Sequence, residues 1–237
     1  MTYDIVYYFQ GKESEELKYS IRSAVENIPF NRIFLIGDKP KWFKETKRSI
    51  YIKSQNLNLQ RHGLGSVAIL HLNRLLNSGE MPDEFLLFND DFYIMKRIEE
   101  WTDYYRDEKD YKEKALKNHA YHQKTIRSYQ YTEIKKPYNL HAPILIKKEN
   151  FIDLLEKWKT FKNQDIDFRT LYGNLYIKTN KSIRDFKVGQ NYKYNYENLH
   201  NIEHAQFIST SDLSFKNEKI GEILRSRFDK PSFLEML

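Results

Sequence analysis

The sequence predicts an α/β fold with a mostly parallel central sheet flanked by helices, and two observations lead to this class. Apolar strand segments alternate with amphipathic helical segments over residues 4–91, as parallel strands require because each needs a crossover to the next. The hydrophobic content of 40%, with 15% aromatic residues, provides a substantial core for 237 residues. We therefore expect a single domain over 1–237.

Each element follows from its local pattern. Short apolar segments predict strands at 4–9, 32–36, 49–53, 85–88 and 206–209, with 141–147 as a strand or loop. Apolar residues at helical spacing predict helices at 13–27, 65–76, 148–160, 168–176 and 217–228. Ser14 is the expected N-cap of the first helix. The densely charged, tyrosine-rich segment 97–136 is predicted to be a partly helical insertion or lid.

The composition limits the chemistry that the chain can perform. It has no cysteine, so a bound metal would be held by oxygen or imidazole ligands, which favours Mg²⁺ or Mn²⁺. No apolar run reaches the roughly 20 residues that span a bilayer, and the N-terminus lacks the basic region of a signal peptide, which predicts a cytoplasmic protein. The net charge of +6 favours polyanionic partners, but a lysine-rich compositional bias explains it equally well.

An acidic pair directly follows the predicted central strand. Asp90 and Asp91 lie beyond the carboxyl end of 85–88, where ligands bind in parallel sheets. Adjacent carboxylates repel each other unless a cation neutralises them, so a divalent metal that bridges diphosphate oxygens is one explanation. The other is a turn or helix cap with both acids in water, and the local pattern does not decide between them.

Four other positions are candidates for a site. His141, two residues before a proline, is expected near an extended strand end, which suits a general acid/base, although a structural histidine is the commoner outcome. Arg169 can clamp a phosphate or pair with a neighbouring acid. Arg22 can face phosphates or water. Ser66 ends the string 63–66, whose backbone N–H groups can receive an anion if the string begins a helix.

Four separated segments together resemble a known family. The most specific runs from Glu16-Leu17-Lys18-Tyr19-Ser20-Ile21-Arg22-Ser23 to Phe88-Asn89-Asp90-Asp91. The others are Asp4-Ile5-Val6-Tyr7, then His141-Ala142-Pro143 with Phe168-Arg169, and finally Ser211-Asp212 with Pro231-Ser232. In this order they resemble the four blocks of the Stealth family, which includes bacterial capsular polysaccharide phosphotransferases and the catalytic subunit of animal GlcNAc-1-phosphotransferase. The chain departs from the family pattern at Gln10, Gly65 and Ser211.

The resemblance implies a GT-A-type transferase with a Rossmann-like sheet. Its reaction would move a sugar-1-phosphate from a nucleotide-sugar, with a UDP-sugar as the expected donor, to an acceptor hydroxyl in polysaccharide or glycan modification. It also implies roles for individual residues. Asp90 and Asp91 would hold Mg²⁺ or Mn²⁺ or orient the attacking hydroxyl, His141 and Arg169 would neutralise the phosphoryl group, Asp212 would be a metal ligand or base, and Asn89, Arg22 and Ser66 would bind the nucleotide.

Two alternatives stay open at this point. A GT-A glycosyltransferase would use the same metal-binding acids but transfer the sugar itself to a glycan or DNA acceptor. A basic nucleic-acid-binding protein without catalysis would use the interleaved cations and tyrosines at 104–106 and 124–131. In a transferase, nucleic acid is expected as an acceptor only.

Overall fold

The computed structural model describes residues 1–11, 13–54, 59–117, 119–161 and 165–236, and strands and helices alternate along most of them. The strands are β1 (Tyr3–Phe9), β2 (Phe30–Gly37), β3 (Ser49–Lys53), β4 (Glu84–Phe88), β5 (Phe92–Ile94), β6 (Tyr105–Arg106), β7 (Ile144–Lys147), β8 (Ser182–Ile183), β9 (Lys187–Val188) and β10 (Phe207–Thr210). The helices are α1 (Glu15–Asn27), α2 (Leu59–Asn77), α3 (Glu108–Lys117), α4 (His119–Tyr129), α5 (Lys148–Phe161), α6 (Phe168–Tyr176), α7 (Tyr196–His204), α8 (Asp212–Asn217) and α9 (Lys219–Arg227).

The main sheet has five strands in the order β3-β2-β1-β4-β7. Neighbouring strands are parallel except for β7, which runs antiparallel to β4. Strand β1 is central, with Ile5 opposite Ile33 on one side and Leu86 on the other. The predicted α/β class with a mostly parallel sheet is therefore confirmed.

Apolar residues cover both faces of this sheet. Val6 and Leu87 pack in one core with residues of α2, α5 and α6, whereas Ile5 and Leu86 pack in a second core with Leu17 and other residues of α1. Successive side chains of a strand point to opposite faces, so a strand covered on both sides is apolar throughout. This explains why the strand segments are nearly continuous apolar runs.

A smaller sheet begins directly after the acidic pair. Its order is β5-β10-β9, with β10 antiparallel to β5 and parallel to β9. Tyr93 and Ile208 from this sheet pack against Phe215 of α8 and Leu224 of α9 in a third core. The turn at Asn89-Asp90-Asp91 therefore leads from the main sheet into the second sheet, which places it between two packed layers.

The predicted segments match the observed elements to within two residues at each end, with exceptions of three kinds. Helix α2 begins at Leu59, so the string 63–66 lies within the helix instead of at its start. The segment 141–147 contributes a strand only from Ile144. The short elements β5, β8, β9, α7 and α8 have no periodicity long enough to predict. Ser14 caps α1 as expected, its hydroxyl accepting from Leu17 N.

The charged segment 97–136 forms a partly helical insertion, as predicted. It contains α3 and α4, and β6 pairs with β8 from a later part of the chain. No helix in the part of the chain that the structure describes is long and apolar enough to cross a membrane.

Candidate active site at the end of strand β4

Asn89, the first residue of the turn, accepts hydrogen bonds from Tyr8 and Arg169. Its side-chain Oδ1 accepts from the Tyr8 hydroxyl at 2.8 Å and from the Arg169 guanidinium at 3.3 Å. Tyr8 lies near the end of β1, and its ring stacks on His71 of α2 at 5.9 Å. Burial lowers the pKa of His71 to about 4, so this ring is a neutral support for Tyr8 at neutral pH.

Arg169 is held at the start of α6 by the helix cap. Asp167 is the N-cap, and its carboxylate accepts from the backbone N–H of Arg169. The guanidinium donates to the carbonyl of Ala142 at 2.5 Å and lies 5.0 Å from the ring centre of Phe92. Among the described residues, no carboxylate forms a salt bridge with it, and burial lowers its pKa. A half-buried cation without an acidic partner suits an anionic ligand.

Arg169, Asn89 and His141 line one cavity of about 370 Å³. It lies between α2, the insertion helix α4 and α6. Its polar lining is completed by Tyr8, Lys124, Thr125, Asn139 and Asp167, and its apolar lining by Ala68, Phe92, Ala120, Leu140, Ile166 and Phe168. The cavity is large enough for part of a nucleotide-sugar or a sugar ring.

Asp185 fixes His141 at the edge of this cavity. The carboxylate of Asp185 lies 2.7 Å from His141 Nδ1 and accepts from the His141 backbone N–H at 2.8 Å. Arg106 binds the same carboxylate at 3.1 Å. Burial alone would raise the pKa of Asp185, but His141 and Arg106 together hold it down to about 2, so Asp185 is ionised.

Asp91 faces the second sheet. Its Oδ2 accepts from Lys187 Nζ at 2.9 Å and from the Ser209 hydroxyl at 2.8 Å. Its Oδ1 is buried and accepts no hydrogen bond from any described residue. A buried carboxylate oxygen without a donor is costly unless a cation or another ligand satisfies it.

The carboxyl of Asp90 has a raised pKa. Burial, followed by the negative charges of Asp91 and Asp212, raises the pKa of Asp90 to about 7, although Lys187 acts in the opposite direction. A cation at the turn would favour the ionised form of this carboxyl.

Glu16 and Asp212 complete the acidic group. Glu16, in the first turn of α1, is only 4% exposed and accepts from the Thr210 hydroxyl at 2.5 Å. Burial, followed by a hydrogen bond to Asp212, raises the pKa of Glu16 well above its usual range, and the same bond lowers the pKa of Asp212. The two carboxyls therefore titrate as an interacting pair.

The carboxylates of the turn are compatible with a divalent cation that takes its remaining ligands from water or substrate. Within the described residues, no three His, Asp or Glu side chains are grouped so that they could enclose a metal ion. Asp91 Oδ1 has no donor among the described residues and is one candidate oxygen ligand, and the carboxyl of Asp90, next to it in the chain, is the other. Mg²⁺ typically uses one or two carboxylates together with waters and substrate phosphates, so these residues fit such an ion.

The cationic cavity and the acidic group are close enough to interact. Burial lowers the pKa of Arg169, and the negative charge of Asp91 opposes that effect. Burial raises the pKa of Tyr8 to about 12, with Arg169 acting to lower it and Asp90 to raise it. The charges of both groups thus act on Tyr8, although Asp90, Asp91 and Asp212 are not among the described residues that line the cavity.

The structure describes the two other predicted nucleotide-binding residues, Arg22 and Ser66, to different extents. Arg22 is 8% exposed and pairs with both carboxylate oxygens of Glu235, at 2.7 and 2.6 Å, while its remaining nitrogen donates to the carbonyls of Phe228 and Asp229. Its donors are taken up by the C-terminal segment. Ser66 lies well inside α2, so its N–H is not at a helix start, and its side chain is outside the described part of the structure.

Several residues of the centre gave no local signal in the sequence. Four of them lie in short strands or loops: Lys187, Ser209, Asp185 and Arg106. No motif or spacing near them distinguishes them from other residues of the same type. Glu16 is marked in the sequence only as the first residue of one of the four segments. Pairing between elements far apart in the chain brings all of them to the centre.

Comparison with known proteins supports a fold assignment. No protein-family model and no curated protein matches the chain. Among solved structures, an active-site mutant of LgtC matches with a TM-score of 0.55 and 10% identity, over 95% of both chains. The fold is GT-A-like. The glycosyltransferase GlyE of Streptococcus pneumoniae TIGR4 matches 96% of this chain and 50% of its own, with 10% identity and a TM-score of 0.36.

This GT-A-like fold agrees with the scaffold that the sequence predicted. At 10% identity the match defines the fold alone. Nothing in the comparisons points to the Stealth family in particular, so membership in that family stays a prediction.

Proposed function

We propose that the chain is a GT-A-type transferase that moves a sugar from a nucleotide-sugar donor to an acceptor hydroxyl. The observation that carries the proposal is the pairing of a cation that has no salt bridge among the described residues, Arg169, with an acidic group, Asp90 and Asp91, across one turn at the end of β4. A nucleotide-sugar has an anionic diphosphate and a neutral sugar, and this centre offers matching groups for the diphosphate.

Asp90 and Asp91 are the residues that would hold Mg²⁺ or Mn²⁺, with Asp91 Oδ1 as the available ligand. A divalent cation there would neutralise charge on the diphosphate leaving group. Lys187 already binds the other oxygen of Asp91 and adds a second positive charge at the same place. Arg169 would bind a diphosphate oxygen from the cavity side, because its guanidinium has donors and no acidic partner among the described residues.

Transfer of a sugar-1-phosphate is the second candidate. Its support is that His141 and Arg169, both assigned to the phosphoryl group by resemblance to the Stealth family, line the same cavity. The GT-A-like fold favours transfer of the sugar itself, so we place glycosyl transfer first. A glycan is the expected acceptor for either reaction, and DNA is a further acceptor to test.

The released nucleotide distinguishes the two reactions. The protein would be incubated with UDP-, GDP- or CMP-sugars and Mg²⁺ or Mn²⁺, with glycan acceptors, and the products identified by mass. UDP or GDP, or CMP from a CMP-sugar, which has only one phosphate, supports glycosyl transfer, whereas UMP or GMP supports phosphoryl transfer. Absence of any nucleotide release, with no effect of Asp91→Ala on any measured property except stability, would overturn both proposals.

A further inference from the structure

A buried chain of charges runs from the insertion to His141. Asp185 binds His141 through both carboxylate oxygens, one to the ring and one to the backbone. Arg106 binds Asp185 at 3.1 Å and Asp110 at 2.6 Å. The side chains of Arg106, Asp185 and Asp110 are 4%, 3% and 13% exposed, so solvent screens these charges little.

The backbone explains how this chain of charges is assembled. Strand β6 pairs with β8, which sets Arg106 opposite Ile183, two residues before Asp185. The Asp185 backbone N–H then donates to Asp110 at 3.1 Å. Asp110 lies on α3, one turn beyond Arg106. The insertion therefore holds Asp185 from two sides.

The net charge of Arg106, Asp110 and Asp185 determines which charge on His141 they stabilise. Asp110 and Asp185 contribute two negative charges, and Arg106 contributes one positive charge. These three groups therefore carry one net negative charge next to the imidazole of His141, and Arg169 is near enough to Asp185 for their charges to interact. A positive charge formed on that ring would be balanced by the network, as buried charges require.

His141 lines the cavity, and one of its ring nitrogens has no hydrogen bond among the described residues. Nδ1 is bonded to Asp185, and an ionised carboxylate only accepts, so Nδ1 must carry a proton. In the neutral ring Nε2 is then the acceptor, and among the described residues no hydrogen bond involves it. Arg169, Lys124 and Asp167 line the same cavity.

We propose that Asp185, held by Arg106 and Asp110, is a positioning residue that keeps the proton on His141 Nδ1 and leaves Nε2 to take the proton of the acceptor hydroxyl. This inference rests on the proposed function. The O–H proton passes to Nε2 and the oxygen forms a bond to the anomeric carbon. The bond from that carbon to the diphosphate oxygen breaks, and its electron pair leaves with the nucleoside diphosphate. The insertion is thereby part of the catalytic machinery through His141.

Asp185→Asn tests the proposal with little change of shape. In this variant the side-chain amide oxygen can still accept from the His141 backbone, but the amide NH₂ would face Nδ1 and favour the opposite tautomer. In ¹⁵N-edited NMR, we expect the downfield Nδ1–H proton of His141 in the unaltered protein and its loss in Asp185→Asn. We also expect kcat to fall about 100- to 10,000-fold, with the donor KM little changed.

Two further variants control the result. Asp110→Asn keeps the Asp185–His141 bond and removes the residual charge, so the Nδ1–H signal should persist and kcat should fall by less than about tenfold. Asp153→Asn removes a carboxylate from an exposed pair with Lys157 and should change neither quantity. Thermal melts of all three variants identify any that fail to fold.

The two proposals fail in different ways. If Asp185→Asn folds and retains the Nδ1–H signal with unchanged kcat, the positioning role is wrong. Loss of the signal together with a kcat reduced no more than in Asp153→Asn also overturns it. If the signal behaves as expected but the unaltered protein releases no nucleotide from any donor, the proposed function is wrong and the catalytic part of this inference falls with it.

Discussion

Asn89 and Asp91 stand two positions apart in one turn, and their side chains bind different parts of the molecule. Asn89 accepts from Tyr8 and Arg169, which belong to the main sheet and α6. Asp91 accepts from Lys187 and Ser209, which belong to the second sheet. The turn thus joins a cationic cavity to an acidic group, and variants on each side should affect different steps.

On the acidic side, Asp91→Asn should reduce nucleotide release about 100-fold or more, because it removes the charge that faces Lys187 and weakens the available oxygen ligand. The measurement is initial rate at saturating donor with Mg²⁺ or Mn²⁺. Glu99→Gln, in an exposed pair with Arg97, is the matched control and should leave the rate unchanged. Equal rates for both variants would contradict a role for Asp91.

On the cavity side, Arg169→Gln should weaken donor binding about 10- to 100-fold, since a charge-assisted hydrogen bond is worth about 1.5–3 kcal/mol. Titration calorimetry with the donor nucleotide measures this directly. The control is Arg127→Gln, which removes a cation that already pairs with Asp165 on the protein surface. Donor affinity that is the same in both variants would exclude Arg169 from the donor site.

The raised pKa of Asp90 predicts a pH dependence of stability in metal-free protein. Because the folded pKa is about 7 and the ordinary value is 3.8, the contribution of Asp90 is fully present below about pH 4 and is lost as pH rises through 7. Asp90→Asn should flatten the fall in melting temperature between about pH 4 and 7. A curve that is equally steep in the variant would show that Asp90 ionises normally.

A substitution of Arg22 tests whether this residue stabilises the fold or binds the nucleotide. Its pair with Glu235 is buried, with side chains 9% and 7% exposed, so Arg22→Met should lower the free energy of unfolding by about 3–5 kcal/mol. Denaturant unfolding measures this, and Lys39→Met in an exposed pair should cost less than about 1 kcal/mol. Donor affinity of the folded variant should be unchanged. A stable variant with weak donor binding would restore the predicted nucleotide-binding role.

The regular elements of the main sheet were predictable because their signals are local. Strand β3 at Ser49–Lys53 and helix α6 at Phe168–Tyr176 have the predicted bounds. In each element the pattern of apolar residues is long enough to show which faces of the strand or helix are buried. Strands of two residues such as β8 and β9 have no such pattern, and they form only because a partner strand is adjacent.

The site was predictable where it follows a strand end and not where it depends on packing. Asn89, Asp90 and Asp91 follow β4, and the rule for parallel sheets places them at a ligand site. His141 and Arg169 could be named from motifs, but the sequence could not tell whether they share a cavity. Arg22 matched a motif equally well, and the structure shows it bound to Glu235.

The sequence by itself determined the layered α/β scaffold and the position of the acidic turn, because strand periodicity and the residues that follow a strand are local properties. Only the tertiary structure decided which charges meet. Lys187 reaches Asp91 across 96 residues, and Asp185 reaches His141 across 44. Contacts of that kind depend on how the elements pack together. The local sequence around a charged residue does not indicate which distant residue it will pair with.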